Sequence, residues 1–353
     1  MSKHLLSLDD VWLDLPYAWG GPAGQGLLRA EPEDFQVIEE PITLPEGEGE
    51  HLWLHIRKRN ANTDWVAGRL ARIAGVKPFA VSYAGMKDRH AVTTQWFSLH
   101  LPGKPDPDWP DTTEEDFEIL DSARHTRKLK RGGLKFNRFR LRLREVQGDR
   151  EHINERLQQL QQGGVPNYFG NQRFGRNGQN LVQALRLFSN PSSRLPRAKK
   201  SIYLSAARSA IFNRILAARL EEASWNIPKQ GEACQLDAKS ACFVADAIDD
   251  DIRQRIRTLE IHPTGALWGR GELLAIGEAR QFESAIAESL VDYSQGLEKA
   301  GLEQMRRALR ISLSDLRYQW LNATVLELEF SLFPGSYATT VLREVLDTHE
   351  RTD

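Results

Sequence analysis

The residues best suited to chemistry lie in the segment Ala84 to Trp96, AGMKDRHAVTTQW. It sets Asp88 between Lys87 and Arg89, shortly after Gly85, a residue type that permits a tight turn. Flanking cations favour the charged form of a carboxylate, and a charged carboxylate acts as a nucleophile or a base. A lone KDR tripeptide is more often a solvated turn, so a role for Asp88 needs support from elsewhere in the chain.

That support comes from charge distribution. The chain carries a net charge of -1, yet from Arg124 to Arg144 there are 10 Lys or Arg residues and no Asp or Glu. Lysine and arginine supply most of the affinity of a protein for nucleic acid by neutralising phosphates. Phe136, Asn137 and Phe139 interleave the cations. Aromatic rings with an amide suit bases that are unstacked and presented singly. The competing reading of the same strip is a two-faced strand with a solvated arginine side.

Other chemistries find no motif. The glycines from Gly20 to Gly26 form neither a phosphate-binding GxxxxGK[ST] loop nor a GxGxxG turn, and no HxE with PCxxC marks a zinc deaminase. The nine histidines lack ligand spacing, and His90 beside Asp88 reads as a surface neighbour. Cys234 and Cys242 have neither metal-site nor disulfide-framework spacing. No metal and no cofactor are expected. The N-terminal apolar run is too short for a signal peptide and no stretch reaches membrane length, so a cytoplasmic protein with no membrane contact is expected. No oligomerisation signal stands out, and a monomer is expected.

The elements that must position these residues follow from periodicity. Leu52, Leu54 and Ile56 alternate along a strand from His51 to Lys58, and Phe139, Leu141 and Leu143 alternate with Arg138, Arg140, Arg142 and Arg144 along another. Val66, Leu70 and Ile73 predict a helix capped near Asn62 or Thr63 and stopped at Gly75. From Glu151 the chain turns helical, with Ile153, Leu157 and Leu160 ahead of Gly163 and Gly164 and a long helix over 201–223. A strand through Leu326, Leu328, Phe330 and Leu332 and a helix from Ala338 to Leu346 close the sequence. Strand-rich ends around a helical middle predict a sheet domain interrupted by an insertion.

Several of these segments together resemble the TruD family, the tRNA pseudouridine synthases of type D. AGMKDRHAVTTQW resembles the family's catalytic-aspartate motif, and GLLRAEPEDFQVIEEP at Gly26 to Pro41 its N-terminal motif. VPNYFGNQRFG at Val165 to Gly175 is similar to the opening of its inserted domain, and YLSAARSAIFN at Tyr203 and PGSYATTVLRE at Pro334 to later segments. The resemblance implies an α+β fold, with a pseudouridine-synthase-like mixed and antiparallel sheet as catalytic domain over 1–162 and 312–353. An α/β TRUD domain over 163–311 is inserted into it.

It also implies isomerisation of uridine to pseudouridine in tRNA, with uridine 13 of the D arm as substrate and no cofactor. The nucleophile falls on Asp88, and substrate contacts on Phe35, Asn137 and Tyr337, the last often phenylalanine in the family. Arg29, where lysine is common, is placed to pair with Asp88, and Phe139 to pack behind the pocket. Phe35 or Tyr337 would supply a stacking ring. Two other classes compete: an RNA-binding protein that uses only the basic strip, and a small-molecule enzyme, which the missing cofactor motifs disfavour.

Overall fold

A computed structural model describes residues 14–109, 116–191 and 194–351. In chain order these form β1 (Gly24–Leu27), β2 (Phe35–Pro41), β3 (His51–Arg59), α1 (Thr63–Ile73), β4 (Val81–Tyr83), β5 (Val92–His100), β6 (Phe117–His125) and β7 (Leu134–Gly148). Next come α2 (Arg150–Gly163), β8 (Val165–Pro166), α3 (Gln179–Ser189), α4 (Arg197–Glu221), β9 (Ala233–Leu236), β10 (Cys242–Val244) and α5 (Asp250–Arg257). The chain ends with β11 (Ile261–Leu267), α6 (Gly277–Ser289), α7 (Val291–Lys299), β12 (Met305–Ala308), β13 (Arg310–Ile311), β14 (Ser314–Trp320), β15 (Leu326–Leu332), α8 (Ala338–Val345) and β16 (Asp347–His349). Strand-rich and helix-rich segments fall into separate units, the α+β arrangement expected from the sequence.

The sheet unit comprises Ala23–Arg150, Leu313–Gly335 and Leu346–Asp353. Its 10-stranded sheet runs β14-β15-β7-β2-β5-β3-β6, with β1 against β7 and β16, and β4 against β5. The long β7 organises it, pairing antiparallel with β15 on one side and β2 on the other. Strand alternation sends Phe139, Leu141 and Leu143 to the buried face and the intervening arginines outward, as their period of two dictates. The same face continues through Phe35 and Val37 of β2 and Leu52, Leu54 and Ile56 of β3. Helix α1 covers its far end, where Val66 and Leu70 pack on Leu54, Ile56 and Phe97. Fully burying such side chains contributes about 1.5–3 kcal/mol each, which makes this cluster the anchor of the unit.

The helical unit comprises Met1–Pro22, Glu151–Ser312 and Ser336–Val345. Its core forms around α4, with Ala210, Ile211, Phe212, Ile215 and Leu216 all buried, beside a four-stranded sheet ordered β10-β9-β11-β12.

These units divide the chain elsewhere than at the boundaries expected from the sequence, 162/163 and 311/312. Helix α2 and α8 both belong to the helical unit. The buried Arg156 of α2 explains this, because its guanidinium donates to the backbone carbonyls of Gly21 and Glu344. Residues far apart in sequence thus tie both helices into one core, a contact that local composition does not reveal.

Candidate active site

The PEDF segment is built as a clamp. Pro32–Asp34 form one 3-10 turn, and the fully buried Asp34 accepts two bonds from Arg144 of β7, from Nε at 2.8 Å and Nη2 at 2.9 Å. A bidentate guanidinium–carboxylate pair fixes orientation as well as position. Just ahead of this turn Arg29 sits at φ 57°, in the left-handed region that non-glycine residues seldom adopt. Such strain of order 1–3 kcal/mol persists where the surroundings over-determine it, and often at functional sites.

The strained backbone aims a side chain that is only 9% exposed. Its guanidinium lies 4.0 Å from the centroid of the Phe35 ring, donates from Nη2 to Asp88 Oδ2 at 3.2 Å, and from Nη1 bonds Glu350. Asp88 itself remains 43% exposed and open to a substrate. The cations next to it in sequence are used elsewhere: Lys87 pairs with the buried Glu39 at 2.6 Å, and Arg89 bonds the carbonyl of Asn60. The flanking cations that favour a charged Asp88 in the sequence thus do not contact its carboxylate, and the direct ion pair comes from Arg29, the partner that the family resemblance implied.

The backbone of Asp88 is held by a residue that the sequence reading missed. Lys58 is completely buried, and its Nζ donates to the carbonyl of Asp88 at 2.7 Å and of Ala61 at 2.8 Å. Burial pulls its ammonium down to about 8 against the opposing pull of Asp88. Lys87 N also donates to Thr63 Oγ1 at 3.0 Å, and Gln95 Nε2 to the Gly85 carbonyl at 3.0 Å. The segment carrying Asp88 is thus pinned at that residue and just ahead of it.

Sheet register places the remaining groups. Phe139 lies opposite Val37, Val37 opposite Thr93, and Thr93 opposite Lys58, so one row of the buried face runs from aromatic to ammonium. Asn137 lies opposite Glu39 in the next row. Burial pushes the Glu39 carboxyl up, and Lys87 opposes it. Three buried polar atoms in this neighbourhood have no hydrogen-bond partner among the described residues: Arg29 Nε, Thr93 Oγ1 and Asn137 Oδ1. Buried polar atoms are almost always satisfied, and of these three Arg29 belongs to the residue that pairs with Asp88, while Thr93 and Asn137 face the same side of the sheet as Lys58.

Phe35 is 1% exposed, with Arg29 over its ring and Phe139 edge-on at 6.2 Å. Phe139 in turn stacks on Phe330 at 5.5 Å and is buried. Both rings back the site rather than open onto it.

Tyr337 belongs to the helical unit. There its hydroxyl accepts from Arg173 Nη2 at 2.6 Å, and its ring lies 6.4 Å from Phe169. The outward arginines of β7 are spoken for as well: Arg138 pairs with Glu40, Arg140 and Arg142 with Glu327, and Arg144 with Asp34. The four arginines of this strand are thus matched by carboxylates, while Lys135 at its start is exposed beside the Phe136 ring.

Burial raises both thiols, that of Cys234 to about 12, so neither suits nucleophilic attack. Among the described residues no cluster of His, Cys, Asp or Glu is arranged to hold a metal, and no helix is long and apolar enough to cross a membrane.

With this geometry in place, comparison with known proteins is decisive. The sequence matches the family described as tRNA pseudouridine synthase D (TruD) over residues 15–183 and 178–345. The chain belongs to the TruD family. It is thereby an isomerase of the pseudouridine synthase class. It is 50% identical to the tRNA pseudouridine synthase D of Methylococcus capsulatus over 95% of this chain and 94% of that one. The corresponding protein of Nitrosococcus oceani is also 50% identical, over 94% of each chain. A solved TruD structure from Methanosarcina mazei shares the fold at TM-score 0.70 and 23% identity, covering 94% of this chain and 95% of that one.

Within this TruD chain, the structure gathers Arg29, Phe35, Asp88, Asn137 and Phe139 in the sheet unit, with Tyr337 in the helical unit. The missed Lys58 and Glu39 had a signal: each continues an inward-facing series, Leu52-Leu54-Ile56 or Phe35-Val37, with a charged residue. Nothing local marked Glu350.

Proposed function

We propose that the protein isomerises uridine to pseudouridine in tRNA, at uridine 13 of the D arm, with the Asp88 carboxylate as nucleophile. The observation that carries this reading is the half-exposed Asp88 carboxylate, ion-paired at 3.2 Å to a buried Arg29 and held at its own carbonyl by Lys58. A preformed ion pair orients a carboxylate without neutralising it, and costs no reorganisation when the reaction begins.

In the reaction the N1–C1′ glycosidic bond breaks, the uracil turns, and a C5–C1′ bond forms. C5 loses its proton, and N1 ends with one. Atoms and oxidation state are conserved, so the chemistry calls for no cofactor. Asp88 serves by attack either at C6 of the base or at C1′ of the sugar, and is released when pseudouridine forms. The target base must leave its stack, at a cost of a few kcal/mol that pocket contacts offset.

Asn137 Oδ1 is the acceptor for the uracil N3–H, a bond that would satisfy an atom otherwise left without a partner. Phe35 and Phe139 support Arg29 and the sheet face beneath it. Within the helical unit, Tyr337 offers a ring on which an RNA base can stack, and Arg173 meets the hydroxyl that replaces the family's frequent phenylalanine.

The test is to incubate the purified protein with an unmodified tRNA transcript, with no added metal or cofactor, and map pseudouridine. The expected result is conversion of one D-arm uridine. Conversion at a different single position would contradict the assigned site, and no conversion the assigned activity.

A further inference from the structure

The basic strip that stands out in the sequence divides in two. The arginines of β7 are matched by carboxylates, as described above, but the loop ahead of β7 is different. Arg127, Lys128 and Lys130 are exposed, and no carboxylate pairs with them among the described residues.

The loop's backbone is nonetheless firmly held. The Arg127 carbonyl accepts from Trp53 Nε1 at 2.9 Å, and Leu129 is buried beside Trp53, Ala84 and Trp96. Its N–H donates to Ser98 Oγ at 3.2 Å. Gly132 takes φ 77° and donates to the carbonyl of Ala84 at 2.8 Å, while a Cβ at Gly133 would come within 2.8 Å of the Lys130 carbonyl. An anchored backbone presenting unpaired cations is preorganised to meet an anion, because little chain entropy remains to be lost on binding.

These cations border a cleft of about 540 Å³ lined by Tyr83, Lys128, Lys130, Arg131, Pro78 and Asp64 among others. Asp64 is the acid of the cleft, and the Tyr83 hydroxyl donates to it. Arg131 serves the wall, stacked 4.8 Å over the Tyr83 ring and bonded to its Oη at 3.2 Å. Phe79, which lies between the lining residues Pro78 and Val81 in sequence but does not itself line the cleft, is 76% exposed, with Lys77 Nζ 6.0 Å from its ring centroid. Ala84, to which the loop is tied, precedes Asp88 by four residues, so even a fully extended chain keeps the two within roughly 14 Å.

We propose that this cleft and the loop over residues 126–133 form a second RNA-contact site of the sheet unit. Lys128 and Lys130, with Arg127 beside them, bind backbone phosphates flanking the target uridine, and Phe79 stacks an unpaired neighbouring base. The inference rests on the reading that tRNA is the substrate. Its physical basis is the pairing of free cations with an exposed ring, the combination by which single-stranded nucleic acid is held.

The test uses the full-length protein and an unmodified tRNA transcript, with affinity measured between about 50 and 200 mM salt. Each phosphate contact contributes roughly 0.7–0.9 to the slope of log affinity against log salt. The double variant Lys128→Gln/Lys130→Gln is expected to reduce that slope by roughly 1 to 2. Phe79→Ala is expected to weaken binding about fivefold or more with the slope unchanged. Arg138→Gln, whose charge already pairs with Glu40, serves as the comparison and should shift the slope by much less than one phosphate's share. Melting temperatures of the variants confirm that each is folded.

A double variant with the wild-type slope overturns the phosphate site, and a Phe79→Ala protein of wild-type affinity overturns the stacking surface. If the wild type neither converts uridine nor binds tRNA in a salt-sensitive way, the tRNA reading itself fails. Conversion by the wild type together with an unaltered slope in the double variant removes only the second site.

Discussion

Two regions of one sheet face, sharing strand β3, serve opposite purposes. At one end Leu52, Leu54 and Ile56 of β3 and Phe97 of β5 meet α1 in an apolar cluster with no polar demand to satisfy. At the other, the same inward parity delivers Lys58 from β3, Glu39 from β2 and Asn137 from β7. Moving along a strand by two residues changes the lining from hydrocarbon to charge without changing the fold. The apolar end makes the unit stable, and that stability allows the other end to bury an ammonium, a strained arginine and unsatisfied acceptors.

The comparison is broken most forcefully by exchanging the roles of the two ends. Lys58→Met removes the donor to the Asp88 carbonyl, and the resulting misplacement is expected to lower the rate of uridine conversion about 100-fold. Leu54→Ala at the apolar end is expected to cost about 2–5 kcal/mol of stability while the rate per folded molecule stays close to wild type. Chemical denaturation with single-turnover rates checks both. A fully active Lys58→Met protein would reduce the ammonium to a packing feature.

A smaller effect is expected at the ion pair. Arg29→Lys retains charge but loses the planar fork that reaches Asp88 and Glu350 together, and should slow conversion roughly tenfold. Equal rates for arginine and lysine would mean that charge alone matters at this position.

The smallest effect is a pH dependence. Burial lowers Lys58 to about 8, below its unfolded value near 10.5, so the folded state releases this proton first. Its contribution to stability is therefore unfavourable below pH 8 and is relieved as pH rises from about 8 towards 10.5. Activity moves the other way, because the positive charge beside Asp88 is lost over that range. A fall in rate of a few-fold above about pH 8 is expected in the wild type and should be absent in Lys58→Arg. The same profile in both proteins would assign the fall to another group.

Much of this was legible in the sequence, and what was not has a common cause. The alternation of β7, the helix α1 and the prominence of Asp88 are local properties, written in residues a few positions apart. The partner of Asp88, Arg29, came through the family resemblance, since 59 residues separate them. The neutralisation of Arg140 and Arg142 by Glu327 depends on a strand more than 180 residues away, and periodicity alone says nothing of it. The division of the chain escaped for the same reason, because Arg156 reaches across 188 residues to Glu344. Lys58 was the nearest miss, its parity readable but its meaning dependent on what lies above the sheet.

We propose that the Asp88 carboxylate is the nucleophile in a site prepared around it. Its most direct test is single-turnover conversion of an unmodified tRNA transcript by wild type and Asp88→Asn, with tRNA affinity measured alongside. The variant is expected to bind tRNA within a few-fold of wild type yet to lose at least about 10⁴-fold in conversion at the same uridine. Conversion by Asp88→Asn at near the wild-type rate would contradict it.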